Sequence, residues 1–134
     1  RYPNSELIDE ANNDYAELNK KLELKDFEIA RQYYHTENYS AAIQAFDTFN
    51  EDHLGSVFKE DAFYYSFKAA YFLGMKSILS KKEERLTNAI LAQRKFEKTF
   101  PESEKLSEVQ GLGEKLQDEL IKTKEQLTTI SQNN

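Results

Sequence analysis

Residues that could carry out acid–base or metal chemistry are few in this sequence. There is no cysteine, and the only two histidines, His35 and His53, both lie at predicted helix ends. Neither has a second ligand at the spacing that a metal site requires. Carboxylates are plentiful but have basic neighbours at helical spacing, which is typical of solvated helix surfaces. We therefore expect no catalytic residue, no metal site and no cofactor, and we expect that the chain is not an enzyme.

The segment GLGEKL, from Gly111 to Leu116, contains two of the glycines of a phosphate-binding loop. It lacks the third glycine, and it lies inside a helical pattern with no strand before it. Close packing between helices is the better explanation of these two glycines.

Aromatic residues are the most informative feature, with eight tyrosines and nine phenylalanines. Several are consecutive, so one narrow helix stripe cannot bury every ring. Some rings pack between helices, and others could anchor a protein partner, because tyrosine and phenylalanine are enriched at interface cores. The residues that we select as candidate partner-binding positions, at or near helix ends, are Arg31, Tyr34, His35, Tyr64 and Lys68. The alternative is that Tyr34 and Tyr64 only cover neighbouring helices.

The composition places the chain in the all-α class. Its 134 residues suit a single domain, 1–134, and only two prolines, Pro3 and Pro101, interrupt a sequence rich in good helix formers. A net charge of -6 argues against a general nucleic-acid binder, which needs a clustered basic surface. No segment is long and apolar enough to suggest a membrane span.

Three similar turns divide the sequence. Ser5, Ser56 and Ser103 are predicted to be helix N-caps, because a serine hydroxyl can accept a hydrogen bond from the first helical turn. They are separated by 51 and 47 positions. A period of this length fits a helical repeat with long helices.

The first predicted helix extends from about Ser5 to about His35 and has two apolar stripes. The main stripe consists of Ile8, Ala11, Tyr15, Leu18, Leu22, Ile29 and Tyr33, and a second stripe beside it consists of Phe27, Ala30 and Tyr34. The second helix has an apolar face formed by Tyr39, Ala42, Ile43, Phe46 and Phe49. Gly55 is predicted to close it in the left-handed conformation.

The third helix is predicted to continue to about Leu79, followed by the polar break SKKEE. The fourth then extends from about Glu84 to Phe100, and the fifth begins at Ser103 and frays at SQNN. These patterns predict five antiparallel helices in an α-solenoid of tetratricopeptide-like repeats. The repeat units are about 5–55 and 56–102, with a closing helix at about 103–128.

The stretch FEIARQYYHTENYSAAIQAF resembles the tetratricopeptide pattern. Ile29, Ala30 and Tyr33 match its first helix, and the matches on its second helix are Tyr39, Ala42 and Phe46. The second unit matches at Leu86, Ala89, Phe96 and Pro101, with Gln93 where an aromatic residue is expected.

A more specific resemblance is to the C-terminal half of the BamD family of outer-membrane barrel-assembly lipoproteins. It rests on the order of three features: YPNS, a long helix, and the stretch KDFEIARQYYHTENYSAAIQAFDTF. The resemblance covers roughly residues 2–119 and is most specific over residues 25–49.

This resemblance implies a subunit on the periplasmic face of the outer membrane of Gram-negative bacteria, held there by a lipid anchor upstream. The implied function is a non-catalytic scaffold that binds the periplasmic domains of the central BamA-type protein. Accessory lipoproteins and unfolded outer-membrane proteins are the other implied partners. The alternative function is a tetratricopeptide adaptor, or a peptide-binding chaperone, of another assembly.

Overall fold

The computed structural model describes the backbone of residues 3–133 and the side chains of residues 6–133, and this part of the chain is all helical. It contains five α-helices: α1 (Pro3–His35), α2 (Tyr39–Asp52), α3 (Lys59–Met75), α4 (Leu79–Thr99) and α5 (Leu106–Asn133). The predicted fold class is confirmed at this level, as is the number of helices. No helix within these residues combines the length and the apolar content that crossing a bilayer requires.

Helix α3 is central, because it packs against each of the other four helices. The core has two parts that meet at α3. One joins α1, α2 and α3 around Phe27, Phe46 and Phe49, and the other joins α3, α4 and α5 around Phe67 and Phe96. Alanines on α2, α3 and α4 are fully buried in these cores, which lets the helix backbones approach closely.

The predicted core positions of α2 and α4 are largely confirmed. Ala42, Phe46 and Phe49 of α2 are buried, and so are the α4 residues Leu86, Ala89, Ile90 and Phe96. The half-buried side chain of Gln93 packs directly against Gly113. It occupies the space that a Cβ atom on residue 113 would need. Close helix packing therefore explains Gly113, whereas a Cβ on Gly111 would meet no atom within 4 Å.

The main apolar stripe of α1 is not part of the core. Phe27 and Ala30, of the second stripe, are buried, while Ile8, Leu22 and Ile29 are exposed. The helix also begins at Pro3, so Ser5 is inside it and the predicted N-cap is wrong. Tyr2, where the YPNS stretch begins, lies outside the described residues.

The break between α3 and α4 comes earlier than predicted. Helix α3 ends at Met75, and Ile78 has extended backbone angles before α4 begins at Leu79. The SKKEE segment is consequently the first part of α4, since lysine and glutamate are good helix formers. Helix α5 likewise continues through the segment that was expected to fray, as far as Asn133.

The turns use other residues than expected. No described glycine has a positive φ, so Gly55 does not close α2 in the left-handed conformation; Glu37, between α1 and α2, has a φ of 63° instead. Ser56 and Ser103 do accept backbone hydrogen bonds, from the N–H groups of Phe58 and Lys105. Each serine lies in the turn that precedes its helix rather than next to the first helical residue.

Candidate functional site

Three helices bring a group of aromatic and charged side chains together on one surface. Helix α1 contributes Tyr34, α3 contributes Tyr64, Tyr65 and Lys68, and α5 contributes Glu108. We call these five residues the Lys68 cluster. The rings of Tyr34 and Tyr65 lie 5.0 Å apart, and those of Tyr64 and Tyr65 lie 5.5 Å apart, so the aromatic part of the cluster is continuous.

Lys68, Tyr64 and Glu108 form a closed polar triangle. The Lys68 ammonium donates to the Tyr64 hydroxyl at 3.1 Å, and this hydroxyl donates to a Glu108 carboxylate oxygen at 2.7 Å. The other carboxylate oxygen lies 3.2 Å from Lys68 Nζ. The ammonium also lies 5.0 Å from the centre of the Tyr64 ring, within cation–π range. These contacts fix the position of the cation between α3 and α5.

The triangle holds both charged groups in their charged forms. Burial alone would lower the pKa of Lys68, but the hydrogen bonds to Tyr64 and Glu108 outweigh it and place that pKa above its usual range. The hydrogen bond from Tyr64 lowers the pKa of Glu108. Burial, and then the bond to Glu108, raises the pKa of the Tyr64 phenol. Lys68 is therefore a stable cation at neutral pH and is not prepared to act as a base or nucleophile.

Tyr34 extends the cluster along α1. Its ring contacts Tyr39 and Phe72 at 5.9 and 6.5 Å, and burial raises the pKa of its phenol more than the nearby Lys68 ammonium lowers it. His35 lies at the edge of the group, with its ring 5.5 Å from Tyr34 and 6.2 Å from Tyr65. Tyr34 and Tyr64 remain half-buried, so each covers a neighbouring helix and still presents part of its ring to solvent.

Lys105 borders the cluster on the α5 side. Its ammonium lies 5.4 Å from the centre of the Tyr64 ring and pairs with Asp61 at 3.2 Å and Glu60 at 3.5 Å. Two lysines therefore face the Tyr64 ring, and carboxylates hold both. The result is a surface on which paired charges lie between half-buried tyrosine rings, and tyrosine is one of the residue types enriched at interface anchors.

Four of the five predicted partner-binding residues lie together: Tyr34, His35, Tyr64 and Lys68. Arg31 differs, because its guanidinium pairs with Glu28 at 2.6 Å and lies 5.8 Å from the centre of the Phe27 ring, within its own helix. Sequence reasoning missed Glu108 as a site residue. Glu108 is 44 positions from Tyr64 and lies in a segment rich in glutamate, so no local signal distinguishes it.

A cavity of about 330 Å³ lies between α2, α3 and α4, away from the Lys68 cluster. Ser66 donates to Asp47 there at 3.2 Å, and burial raises the pKa of the Asp47 carboxyl. Neither histidine lines this cavity, so the serine has no imidazole base there. Among the residues with described side chains, no three potential metal ligands converge. His53 instead hydrogen-bonds Asp26 at 2.9 Å and joins the end of α2 to α1.

Comparison with known proteins adds no family to these observations: no family model matches the chain, and no curated protein sequence matches it.

Proposed function

We propose that this chain is a non-catalytic, tetratricopeptide-like scaffold that docks the periplasmic domains of a BamA-type protein during outer-membrane barrel assembly. The Lys68 cluster carries the proposal, since it is the place where three helices present rings and fixed charges together. In the full protein, an upstream lipid anchor would hold the scaffold at the periplasmic face of the outer membrane. Accessory lipoproteins and unfolded outer-membrane proteins would be its further partners.

The repeat part of the proposal is supported by two equivalent turns. The carbonyl groups of Phe49 and Phe96 accept from the N–H groups of His53 and Phe100, at 2.9 and 2.8 Å. His53 has φ and ψ of -128° and 61°, and Phe100 has -126° and 66°. The same hydrogen bonds therefore recur 47 positions apart.

The helix that follows each turn repeats as well. The N–H groups of Lys59 and Leu106, the first residues of α3 and α5, bond the carbonyls of Ser56 and Ser103, both at 3.2 Å. The buried residues Ala62 and Ala69 of α3 correspond at this offset to Val109 and Leu116 of α5. Stacked units with equivalent buried positions are what a helical repeat requires.

The docking part of the proposal is supported by the restricted side chains of the Lys68 cluster. The aromatic rings are held by packing and the cations by carboxylates, so little side-chain freedom would be lost when a partner binds. The cluster also spans α1, α3 and α5, which would let a partner contact both repeat units and the closing helix at once.

Co-purification with the periplasmic domains of the BamA-type protein from the same genome tests this function. We expect Tyr34→Ala and Lys68→Gln to weaken binding by about tenfold or more, because both remove central contacts of the surface. Lys98→Gln, at an exposed lysine of α4, is the matched control and should bind as the wild type does. Circular dichroism of every variant separates lost contacts from lost folding. Arg31→Glu tests whether the surface extends along α1.

A well-folded wild type that does not bind these domains would contradict the proposal. Binding of short extended peptides to the same surface, weakened by Tyr34→Ala, would instead identify a peptide-binding chaperone or an adaptor of another assembly. The half-buried rings of Tyr34 and Tyr64 are the observation that makes this second function worth testing.

A further inference from the structure

The first part of α1 is a helical arm with an exposed apolar side. Every residue from 6 to 22 is exposed, and the packing against α2 and α3 begins only around Phe27. We call residues 6–25 the α1 arm. Its exposed large apolar residues are Leu7, Ile8, Tyr15, Leu18, Leu22 and Leu24. Most of the stability of a helix in a protein comes from packing of its apolar face, and residues 6–22 of the arm make no such packing contact within the described part of the chain.

Five apolar residues of the arm follow a seven-residue repeat, whereas Leu7 and Leu24 lie outside it. Ile8, Tyr15 and Leu22 occupy its first position, and the fourth position is occupied by Ala11, Leu18 and Lys25. Alternating steps of three and four residues produce the seam along which two helices pack in a coiled coil. These residues lie on a different face of α1 from Phe27 and Ala30, which the body of the protein buries.

Charge is divided unequally along the arm. Residues 6–17 contain five acidic side chains and no basic one: Glu6, Asp9, Glu10, Asp14 and Glu17. Residues 20–25 contain three lysines and one glutamate: Lys20, Lys21, Lys25 and Glu23. Two arms that run in opposite directions would place the acidic part of each beside the basic part of the other.

We propose that the chain forms a homodimer in which two α1 arms pack as an antiparallel coiled coil. In the register that we propose, Tyr15 of each copy packs against Leu18 of the other, and Ala11 packs against Leu22. Ile8 then lies beside the aliphatic part of Lys25. The bodies of the two copies lie at opposite ends of the shared rod, and the N-terminal end of each arm reaches the region of Phe27 of the other copy.

Flanking charges distinguish this register from its neighbours. Asp14 and Lys21 occupy the seventh position of the repeat, which pairs with the same position of the other helix when the helices are antiparallel. In the proposed register Asp14 of each copy faces Lys21 of the other, giving two opposite-charge pairs. A shift by seven residues in one direction places Asp14 against Asp14, and a shift in the other direction places Lys21 against Lys21. Both shifted registers juxtapose like charges.

Sedimentation equilibrium of the chain and of charge variants tests the dimer. The wild type should reach twice its mass of 15.7 kDa at concentrations of about 100 µM. Asp14→Lys and Lys21→Asp should each weaken dimerisation by about tenfold, because each converts two attractive pairs into repulsive ones. The double variant Asp14→Lys/Lys21→Asp should restore it. Lys20→Asp is the matched control, since Lys20 lies outside the seam and its flanks.

Disulfide cross-linking tests the direction of the helices, and it is simple because the chain has no cysteine of its own. A mixture of the Ala11→Cys and Leu22→Cys variants should form the mixed cross-link, as the antiparallel register places these positions in one layer. Cross-links between identical variants would indicate a parallel pair and overturn the proposal. A monomer at about 500 µM would overturn it too, and so would a dimer that does not respond to the Asp14 and Lys21 exchange.

Discussion

The Lys68 ammonium lies 3.2 Å from the Glu108 carboxylate, and the Tyr64 hydroxyl hydrogen-bonds both. This contact joins α3 to α5, whose buried apolar residues belong to the same core cluster. The side chain of Lys68 is 21% exposed and that of Glu108 is 46% exposed, so water screens the pair only in part. Its energetic contribution should therefore exceed that of an ion pair on the open surface.

A double-mutant cycle with Lys68→Met and Glu108→Gln should give a coupling energy of about 0.5 to 1 kcal/mol in urea unfolding. The matched control is the pair Lys76 and Glu37, which has a similar separation of 3.0 Å but is more exposed on both sides. The coupling energy of the control pair should be smaller. Equal coupling energies would mean that the surroundings of the Lys68 cluster add nothing to the ion pair.

The free energy of unfolding should depend on Glu108 in acid. The fold lowers the pKa of Glu108, so its stabilising contribution is present above the unfolded-state pKa and is lost as the pH falls through the folded-state pKa. Between about pH 5 and about pH 3, the wild type should lose more stability than Glu108→Gln does. Urea unfolding of both proteins across this range measures the difference, and parallel pH profiles would contradict the assignment.

Phe96→Ala should lower the free energy of unfolding by about 3 to 5 kcal/mol, because the side chain is fully buried where α3, α4 and α5 meet. Val57→Ala is the control, as Val57 is 87% exposed, and it should change stability by no more than about 0.5 kcal/mol. Thermal and chemical unfolding would report both values. A small effect at Phe96 would show that the second core is packed differently.

Two glycines in helices should respond in opposite directions to alanine. A Cβ on Gly74 would lie 3.1 Å from Leu86 Cδ2 and 3.2 Å from the Leu86 backbone nitrogen, so Gly74→Ala should force α3 and α4 apart at a cost of about 1 to 3 kcal/mol. Gly111→Ala meets no atom and should stabilise α5 by about 0.5 to 1 kcal/mol. Urea unfolding distinguishes the two, and a stabilised Gly74→Ala variant would contradict the close approach of the helices.

Ser56→Ala and Ser103→Ala should each cost about 1 kcal/mol, since each hydroxyl accepts one backbone N–H in an equivalent turn. The loss in urea unfolding should be somewhat larger for Ser103→Ala, because the Ser103 hydroxyl also donates a hydrogen bond to Glu60 at 3.1 Å. Ser107→Ala, at an exposed position of α5, serves as the control. A larger loss for Ser56→Ala than for Ser103→Ala would contradict this prediction.

The sequence by itself determined the helical class, the number of helices and the buried face of α2 and α4. These features depend on local spacing: Ala42, Phe46 and Phe49 form a single apolar stripe, and the side of a helix that carries such a stripe faces the core. The candidate set Arg31, Tyr34, His35, Tyr64 and Lys68 was chosen from the sequence partly because tyrosine is enriched at interface cores. The sequence did not indicate that Arg31 pairs within its own helix or that Lys68 lies in the middle of α3.

Only the tertiary structure decided which stripe of α1 is buried, where α3 ends and which residue partners Lys68. Both apolar stripes of α1 are compatible with a helix. The stripe with Phe27 and Ala30 is the buried one because these residues pack against aromatic and alanine side chains of α2 and α3. The polar SKKEE segment is compatible with either a break or a helix. In the structure it is helical, and the turn between α3 and α4 comes before it, where Gly74 at the end of α3 contacts Leu86 of α4. Glu108 reaches Lys68 only because α5 packs beside α3. The two residues are far apart in the sequence, so the spacing of residues in the chain could not predict this pair.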